Sequence, residues 1–348
     1  MNQSLKIIVT GGAGFIGSAF VREALKKNYQ VIVLDALTYA GHMENIEEVL
    51  KAGQCEFEKG SITDMAFVSQ VLKKHQPDVF VNFAAESHVD NSISGPKDFI
   101  ETNIVGTFTC LEANRAYYNS LNSAQKQKYR YVQISTDEVY GSLGDTGKFY
   151  EGLAYSPNSP YSASKASGDH LARAWFHTYS LPTIVTNCSN NYGPRQFPEK
   201  LIPLMISNAL KEKSLPVYGT GKNIRDWIHV EDHSCGILLA IEKGMPGSTY
   251  CFGGNAEMTN LQVVESICAY LDKVKPRANK EKYSNLISFV QDRAGHDWRY
   301  AIDDSLAQKE LGFKRRYSQF RSGLETTCDW YLKNMSWSEK VLSKKQRG

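Results

Sequence analysis

The sequence predicts an α/β protein built on a doubly wound parallel sheet, with a smaller C-terminal lobe interwoven with it. Three observations carry that expectation. Short apolar, β-branched runs alternate with helix-patterned stretches through the first two-thirds of the chain, as parallel strands buried on both faces and joined by crossover helices do. A glycine-rich turn, Gly11-Gly12-Ala13-Gly14-Phe15-Ile16-Gly17, separates the first such run from the first helical stretch. The 348 residues are too many for one small domain and enough for one large core with a second lobe.

Taken in order, strands are expected at Lys6–Thr10, Gln30–Asp35, 56–59, Val79–Asn82, 131–135 and 183–187, and helices at 19–27, 65–74, 96–119 and 162–179. The last two helices are long enough to form a dimer bundle or simply to cover the sheet. Residues 142–160, rich in Gly, Ser, Pro and Asn, read as a loop flanking the site, and the Lys/Gln stretch 125–130 as a solvated surface turn. Beyond it, Gly193-Pro194, Pro198, Pro203 and Pro216 break the alternation. The expected division is a Rossmann-type domain over residues 1–190, with part of the later chain returning to it, and a ligand-binding lobe mainly over 191–340.

Composition narrows the function classes. Hydrophobic residues at 42% and charged residues at 22%, with no long unbroken apolar run, exclude a membrane span. The net charge of +3 is spread along the chain, without the basic blocks of a nucleic-acid groove. Seven scattered cysteines, odd in number and without a Cys-x-x-Cys pair, favour reduced thiols over a disulfide framework or a zinc site. The N-terminus runs at once into Ile7-Ile8-Val9 without a basic n-region or cleavage site, so a cytoplasmic protein is expected.

The glycine spacing has a physical use. Gly11, Gly14 and Gly17 allow a tight turn, let backbone N–H groups approach a pyrophosphate, and seat a helix N-terminus where its dipole favours negative charge. Asp35 ends the next strand, where its carboxylate accepts hydrogen bonds from a ribose 2′-OH and repels a 2′-phosphate. NAD is therefore expected rather than NADP. Small residues in Asn82-Phe83-Ala84-Ala85-Glu86-Ser87 let the backbone pass close beneath such a cofactor.

Two segments carry acid/base chemistry. Tyr161 and Lys165 stand at i, i+4 of an expected helix and share one face, so an ammonium can hold a phenol near the range needed for alcohol oxidation. Upstream lie Thr136, Asp137 and Glu138. Successive residues of a strand point to opposite faces, so both carboxylates can address one ligand only if the chain bends or turns helical there. Adjacent carboxylates then repel double ionisation, which keeps one protonated. Read alone, the pair fits equally a helix cap at Asp137 and a solvated Glu138.

Collinear segments extend the pattern: Asp35-Ala36-Leu37-Thr38-Tyr39-Ala40-Gly41, Ala84-Ala85-Glu86-Ser87-His88-Val89-Asp90, Ser135 to Gly141, 159–166, Cys188-Ser189-Asn190-Asn191-Tyr192-Gly193-Pro194, 197–203, Arg225-Asp226-Trp227 and 292–303. Over nearly its whole length the chain resembles the extended short-chain dehydrogenase/reductase family, in its 4,6-dehydratase branch acting on dTDP-glucose. Tyr-x-x-x-Lys alone fits any reductase, epimerase or decarboxylase of that superfamily; Thr-Asp-Glu is what singles out dehydration.

The resemblance implies catalysis by Thr136, Asp137, Glu138, Tyr161 and Lys165. Tyr161, helped by Lys165, takes the 4-OH proton while the C4 hydride passes to NAD, and Thr136 bonds the same oxygen. Glu138 then removes the C5 proton and Asp137 protonates the departing C6 hydroxyl, before the hydride returns to C6. It further implies cofactor contacts from Gly11, Gly14, Phe15, Ile16, Gly17, Asp35, Thr38, Ser61, Ile62, Ala84, Ala85, Ser87, Thr102, Tyr161, Lys165 and Asn191. Substrate contacts are implied for Ser87, Thr136, Asn190, Lys200, Leu201, Pro216, Val217, Tyr218, Arg225, Asn260, Asp292 and His296, with Arg225 on the diphosphate and Tyr218 beside the base. No metal is implied, and a homodimer is.

Four positions depart from the family pattern: Asn91 and Asn187 where Arg is usual, Ser61 where Asp is usual, and Ala294 where Pro is usual. Loss of positive charge leaves the base preference open. The alternatives at this point are the same chemistry on another nucleotide hexose such as UDP-glucose, a nucleotide-sugar 4-epimerase or decarboxylase, and a non-catalytic NAD-binding protein.

Overall fold

A computed structural model describes residues 4–292 and 295–345. In chain order the described strands are β1 Lys6–Thr10, β2 Gln30–Asp35, β3 Cys55–Lys59, β4 Val79–Asn82, β5 Arg130–Ile134, β6 Thr183–Cys188, β7 Asn190–Tyr192, β8 Leu215–Tyr218, β9 Ile224–His229, β10 Thr249–Phe252, β11 Glu257–Thr259 and β12 Ile287–Val290. The principal sheet has seven strands in the order β10-β6-β5-β4-β1-β2-β3, every pair parallel. Ile7, Ile8 and Val9 in β1 are fully buried, as central parallel strands with helices on both faces require. Chain order reverses between β1 and β4, which opens a crevice at the C-terminal ends of these strands.

The six expected strands form, with ends shifted by at most one residue. A seventh, β10, was not anticipated. It spans only four residues, too few for a period to register, and it pairs with β6 through Thr249 opposite Val185 and Phe252 opposite Cys188. The helix expected at 96–119 is interrupted: a turn Pro96–Phe99 leads into a π-helical stretch Ile100–Gly106 before the α-helix Thr107–Ser120. The stretch 125–130 is not a simple surface turn either. A short helix Ser123–Lys128, closed by a reciprocal Asn122/Gln125 capping box, runs into β5 at Arg130. The expected helices at 19–27, 65–74 and 162–179 form over Phe15–Lys26, Met65–His75 and Pro160–Tyr179.

Two small sheets, β11-β9-β7 and β12-β8, lie beyond the main one. Their core gathers Tyr192, Ile202, Met205, Trp227, Leu271, Leu324 and Trp337. The helix Val230–Lys243 belongs elsewhere: Ile237, Leu238 and Ile241 pack with Ile7, Val9 and Val31. Chain beyond residue 230 therefore helps cover the large sheet. Among the described residues no helix is long and apolar enough to cross a membrane.

Candidate active site

The crevice holds a cleft of about 1710 Å³, open to solvent, floored by the glycine turn. Gly11 sits at φ +65°, and a Cβ there would lie 2.8 Å from the Ala84 nitrogen. A Cβ on Gly17 would lie 2.3 Å from the Gly11 carbonyl oxygen. The turn thus packs backbone against backbone, and the helix Phe15–Lys26 starts at Gly14 with no side-chain cap, leaving its first N–H groups toward the cleft. Asp35 is buried; its carboxylate accepts from the Ala13 N–H at 2.9 Å and from the Leu37 N–H at 2.8 Å. Burial raises its pKa, the two backbone donors working against that rise. Cβ-free turn, open helix end and a carboxylate with lone pairs to spare fit a dinucleotide.

Opposite the turn, the catalytic candidates come from two elements with clear local causes. Ser159 and Ser162 form a reciprocal capping box, each side-chain oxygen accepting the other's N–H at 3.0 Å, and Pro160 takes the first helical position. That starts the helix Pro160–Tyr179 and puts Tyr161 in its first turn, with Lys165 one turn on. After β5 the chain tightens into a 3-10 turn, Asp137–Tyr140, capped by Thr136, whose hydroxyl accepts from the Glu138 N–H at 3.3 Å. This is the bend that two cooperating carboxylates require. Thr136, Asp137, Glu138, Tyr161 and Lys165 all line the cleft.

Electrostatics separate the two carboxylates. Asp137 is 2% exposed, and burial, followed by the Glu138 charge, holds its carboxyl well above the usual carboxylate range. The Thr136 hydroxyl donates to its Oδ1 at 3.2 Å, and its Oδ2 has no hydrogen-bond partner among the described residues. Burial raises the Tyr161 phenol well above its ordinary value, with Glu138 next in effect and a hydrogen bond to Thr136 opposing. Lys165 donates to the Ile134 carbonyl oxygen at 2.6 Å; burial lowers its pKa and Asp169 raises it. Asn187, one of the departures, is fully buried, and its amide donates to the Thr136 carbonyl oxygen at 3.0 Å and to Asp169 at 3.3 Å.

Every residue expected at the cofactor lines the cleft, Phe15, Ile16, Thr38, Ser61, Ile62, Ala85, Thr102 and Asn191 included. Of the substrate set, Ser87, Asn190 and Lys200 do so as well, and Lys200 Nζ donates to the Ser87 carbonyl oxygen at 3.2 Å. Thr136 apart, the other eight, Val217 on β8 among them, lie outside its lining. Arg225 is buried on β9, its guanidinium 4.2 Å from the Tyr300 ring centroid and donating to the carbonyl oxygens of Ile224 and Asp297. Tyr218 is exposed, edge-on to His296, whose Nδ1 lies 2.6 Å from Asp292. Pro216 precedes Tyr218 on β8, while Leu201 and Asn260 open the helices Leu201–Leu210 and Asn260–Val274. Within 292–296, Arg293 and Ala294 lie outside the described residues.

Sequence reasoning did not assign Tyr39, Asn45, Glu86, Cys188, Gln196 or Glu199, which also line the cleft. Tyr39, Glu86, Cys188 and Glu199 stand inside the quoted motifs, so their position was the available signal. Nothing local marks Asn45. Among the described residues no group of three or more His, Cys, Asp or Glu is gathered as for a metal ion.

The sequence model of the family described as GDP-mannose 4,6 dehydratase matches residues 8–327. A dTDP-glucose 4,6-dehydratase of Xanthomonas campestris pv. campestris is 53% identical over 335 residues, 96% of this chain and 95% of that one. The chain belongs to the dTDP-glucose 4,6-dehydratase family. Solved structures of the family superpose closely. The enzyme from Bacillus anthracis in complex with NAD has a TM-score of 0.85 at 45% identity, covering 97% of this chain and 100% of that one. A double mutant from Streptomyces venezuelae with NAD bound has a TM-score of 0.87 at 42% identity, covering 96% and 99%. The family match embraces both the glycine turn and the Thr-Asp-Glu turn.

Proposed function

We propose that this chain is an NAD-dependent dTDP-glucose 4,6-dehydratase, a hydro-lyase that converts dTDP-glucose to dTDP-4-keto-6-deoxyglucose. The observation that carries the reading is the 3-10 turn that faces Asp137 and Glu138 into the same cleft as Tyr161 and Lys165. NAD, held by the glycine turn and Asp35, supplies reversible hydride acceptance. The residues supply the rest. Tyr161 removes the sugar 4-OH proton, the Lys165 charge and the Thr136 hydrogen bond working against the burial that raises its phenol, and Thr136 holds the same oxygen in line. The ketone at C4 acidifies C5, where Glu138 takes the proton. Asp137, kept protonated by burial beside Glu138, delivers a proton to the C6 hydroxyl, which leaves as water.

The nucleotide end is assigned to the later chain, residues 191–340. Lys200 and Arg225 supply positive charge, Asn190 faces the sugar from the cleft wall, and Tyr218 with the Asp292–His296 pair receives the base. The epimerase alternative has no use for Asp137 and Glu138 in the cleft, and the geometry disfavours it.

Two copies pair through the helices Thr107–Ser120 and Pro160–Tyr179. Val105, Phe108 and Tyr179 expose apolar surface there, and Phe108 packs edge-on to Trp175, 5.9 Å between centroids, joining the helices into one face. Light scattering at the mass of two chains is expected; the mass of one chain would remove this assignment. The seven unpaired thiols support a cytoplasmic location.

The test is incubation of the purified protein, without added NAD, with dTDP-glucose and separately with UDP-glucose. The 4-keto-6-deoxy product, read by mass and by NMR at C6, is expected from dTDP-glucose. Turnover of UDP-glucose alone would keep the chemistry and change the base. Absence of dehydration with both would sink the proposal.

A further inference from the structure

The two C-terminal helices, Phe320–Lys333 and Met335–Lys345, carry none of the proposed catalytic groups, yet they reach the cofactor cleft at three points. Trp330, Tyr331 and Trp337 form an edge-to-face cluster with centroids 5.0 to 6.2 Å apart. Each presents something to a residue that lines the cleft. The Trp337 indole Nε1–H donates to Asn45 Oδ1 at 3.2 Å. The Tyr331 hydroxyl donates to the Gln196 carbonyl oxygen at 2.6 Å, and Gln196 in turn donates to the Asn191 carbonyl oxygen at 3.0 Å. The Trp330 ring lies 5.3 Å from the guanidinium carbon of Arg195.

Asn45 is the joint that matters most. It is 3% exposed, and Arg22 donates to its backbone carbonyl oxygen at 2.7 Å. Its side-chain Nδ2 donates to the Ala13 carbonyl oxygen at 2.8 Å, while the Ala13 N–H is taken by Asp35. Ala13 sits between Gly11 and Gly14 in the turn that receives the pyrophosphate. An amide whose oxygen is occupied by an indole N–H must present its NH₂ to the other side, so Trp337 sets which end of Asn45 faces the glycine turn.

We propose that Trp337 is a positioning residue for the cofactor: through Asn45 it holds the Ala13 carbonyl and so the glycine turn in its NAD-receiving geometry. The C-terminal hairpin braces the cleft from outside, and NAD retention depends on a side chain 292 residues away from its contact. This rests on the dinucleotide reading of the cleft above.

The test is Trp337→Phe, which keeps an aromatic ring and removes the N–H together with part of the indole's packed volume. Bound NAD per chain after exhaustive desalting, the NAD dissociation constant by calorimetry, and the melting temperature are measured beside the unsubstituted protein. Loss of one buried hydrogen bond predicts about five-fold weaker NAD binding, with kcat at saturating NAD and KM for the sugar nucleotide unchanged. A lowered melting temperature with unchanged NAD affinity would make Trp337 a packing residue only and overturn the proposal. If Trp337→Phe does not fold, Asn45→Asp decides, since it retains the acceptor for Trp337 and loses the donor to Ala13; wild-type NAD affinity in that variant overturns the proposal too. If the unsubstituted protein binds no NAD, it is the dinucleotide reading that fails, a result distinct from equal binding by both proteins.

Discussion

Asp137 and Glu138 are neighbours of the same chemical type, and the structure gives them different surroundings: Asp137 is buried and Glu138 only partly so. A buried carboxyl beside a charged one keeps its proton, and Asp137 has that position: 2% exposed, with Glu138 adjacent. Turnover is therefore expected to fall as pH rises through the raised Asp137 pKa, because the proposed mechanism uses its acid form. Asp137→Asn keeps the shape and cannot deliver a proton. Its expected outcome is a loss of dehydration of about 10²-fold or more, with C4 oxidation retained, seen as accumulating absorbance of reduced nicotinamide. Loss of both steps together would contradict the assignment. Its pH profile should also lack the alkaline limb. The residue types were legible in the sequence; which carboxyl is buried was not, because burial depends on segments distant in the chain, and part of the charge that reaches Asp137 comes from Asp226 and Arg225 on β9.

At the scale of elements, the glycine turn was fully legible, since strand, spacing and following helix are all local. Gly17→Ala is expected to abolish NAD retention after desalting, because its Cβ would meet the Gly11 carbonyl at 2.3 Å and nothing there is a flexible side-chain end. Retained NAD would show that the turn can widen. The break at Ile100–Gly106 was not legible. Asn103 in that stretch is buried; its Oδ1 accepts from the Glu86 N–H at 2.8 Å and its Nδ2 donates to the Glu86 carbonyl oxygen at 3.0 Å and to Ser164 at 2.8 Å. The π-helical stretch turns Asn103 to these partners while Thr102 faces the cleft. Apolar periodicity cannot register one shifted hydrogen-bond ring, so the helix read as continuous. The short strand β10 escaped for the related reason that its partner β6 lies more than sixty residues earlier.

For the whole molecule, the late chain is a structural partner of the early one. Asp232 accepts from the Arg316 and Tyr317 N–H groups at 2.7 and 3.0 Å, and Arg316 pairs with Glu23 at 3.0 Å. Near this seam His229 and His233 are buried and neutral, each pushed down to about 3 by burial. Their unfolded value is near 6.5, so between pH 6.5 and 3 the unfolded chain binds protons that the folded chain refuses. Each histidine then removes up to ~1.4 kcal/mol of stability per pH unit as the pH falls through that window. The melting temperature is expected to drop from pH 6.5 to pH 5, and less steeply in His233→Asn, whose amide replaces the ring N–H toward Asn191. An unchanged slope would show that other groups govern the acid limb.

What the sequence by itself determined is whatever depends on near neighbours along the chain. That covers the parallel α/β class, the dinucleotide turn with Asp35, the shared helical face of Tyr161 and Lys165, and the need for a bend at Asp137. Tertiary structure alone decided the seventh strand, the interrupted helix, the capped start of the Tyr161 helix, the burial of Asp137, and the grip of Trp337 on Asn45. Local spacing sets backbone conformation and which side chains share a face. Burial, charge environment and long-range hydrogen bonds arise only when segments hundreds of residues apart exclude water from one another.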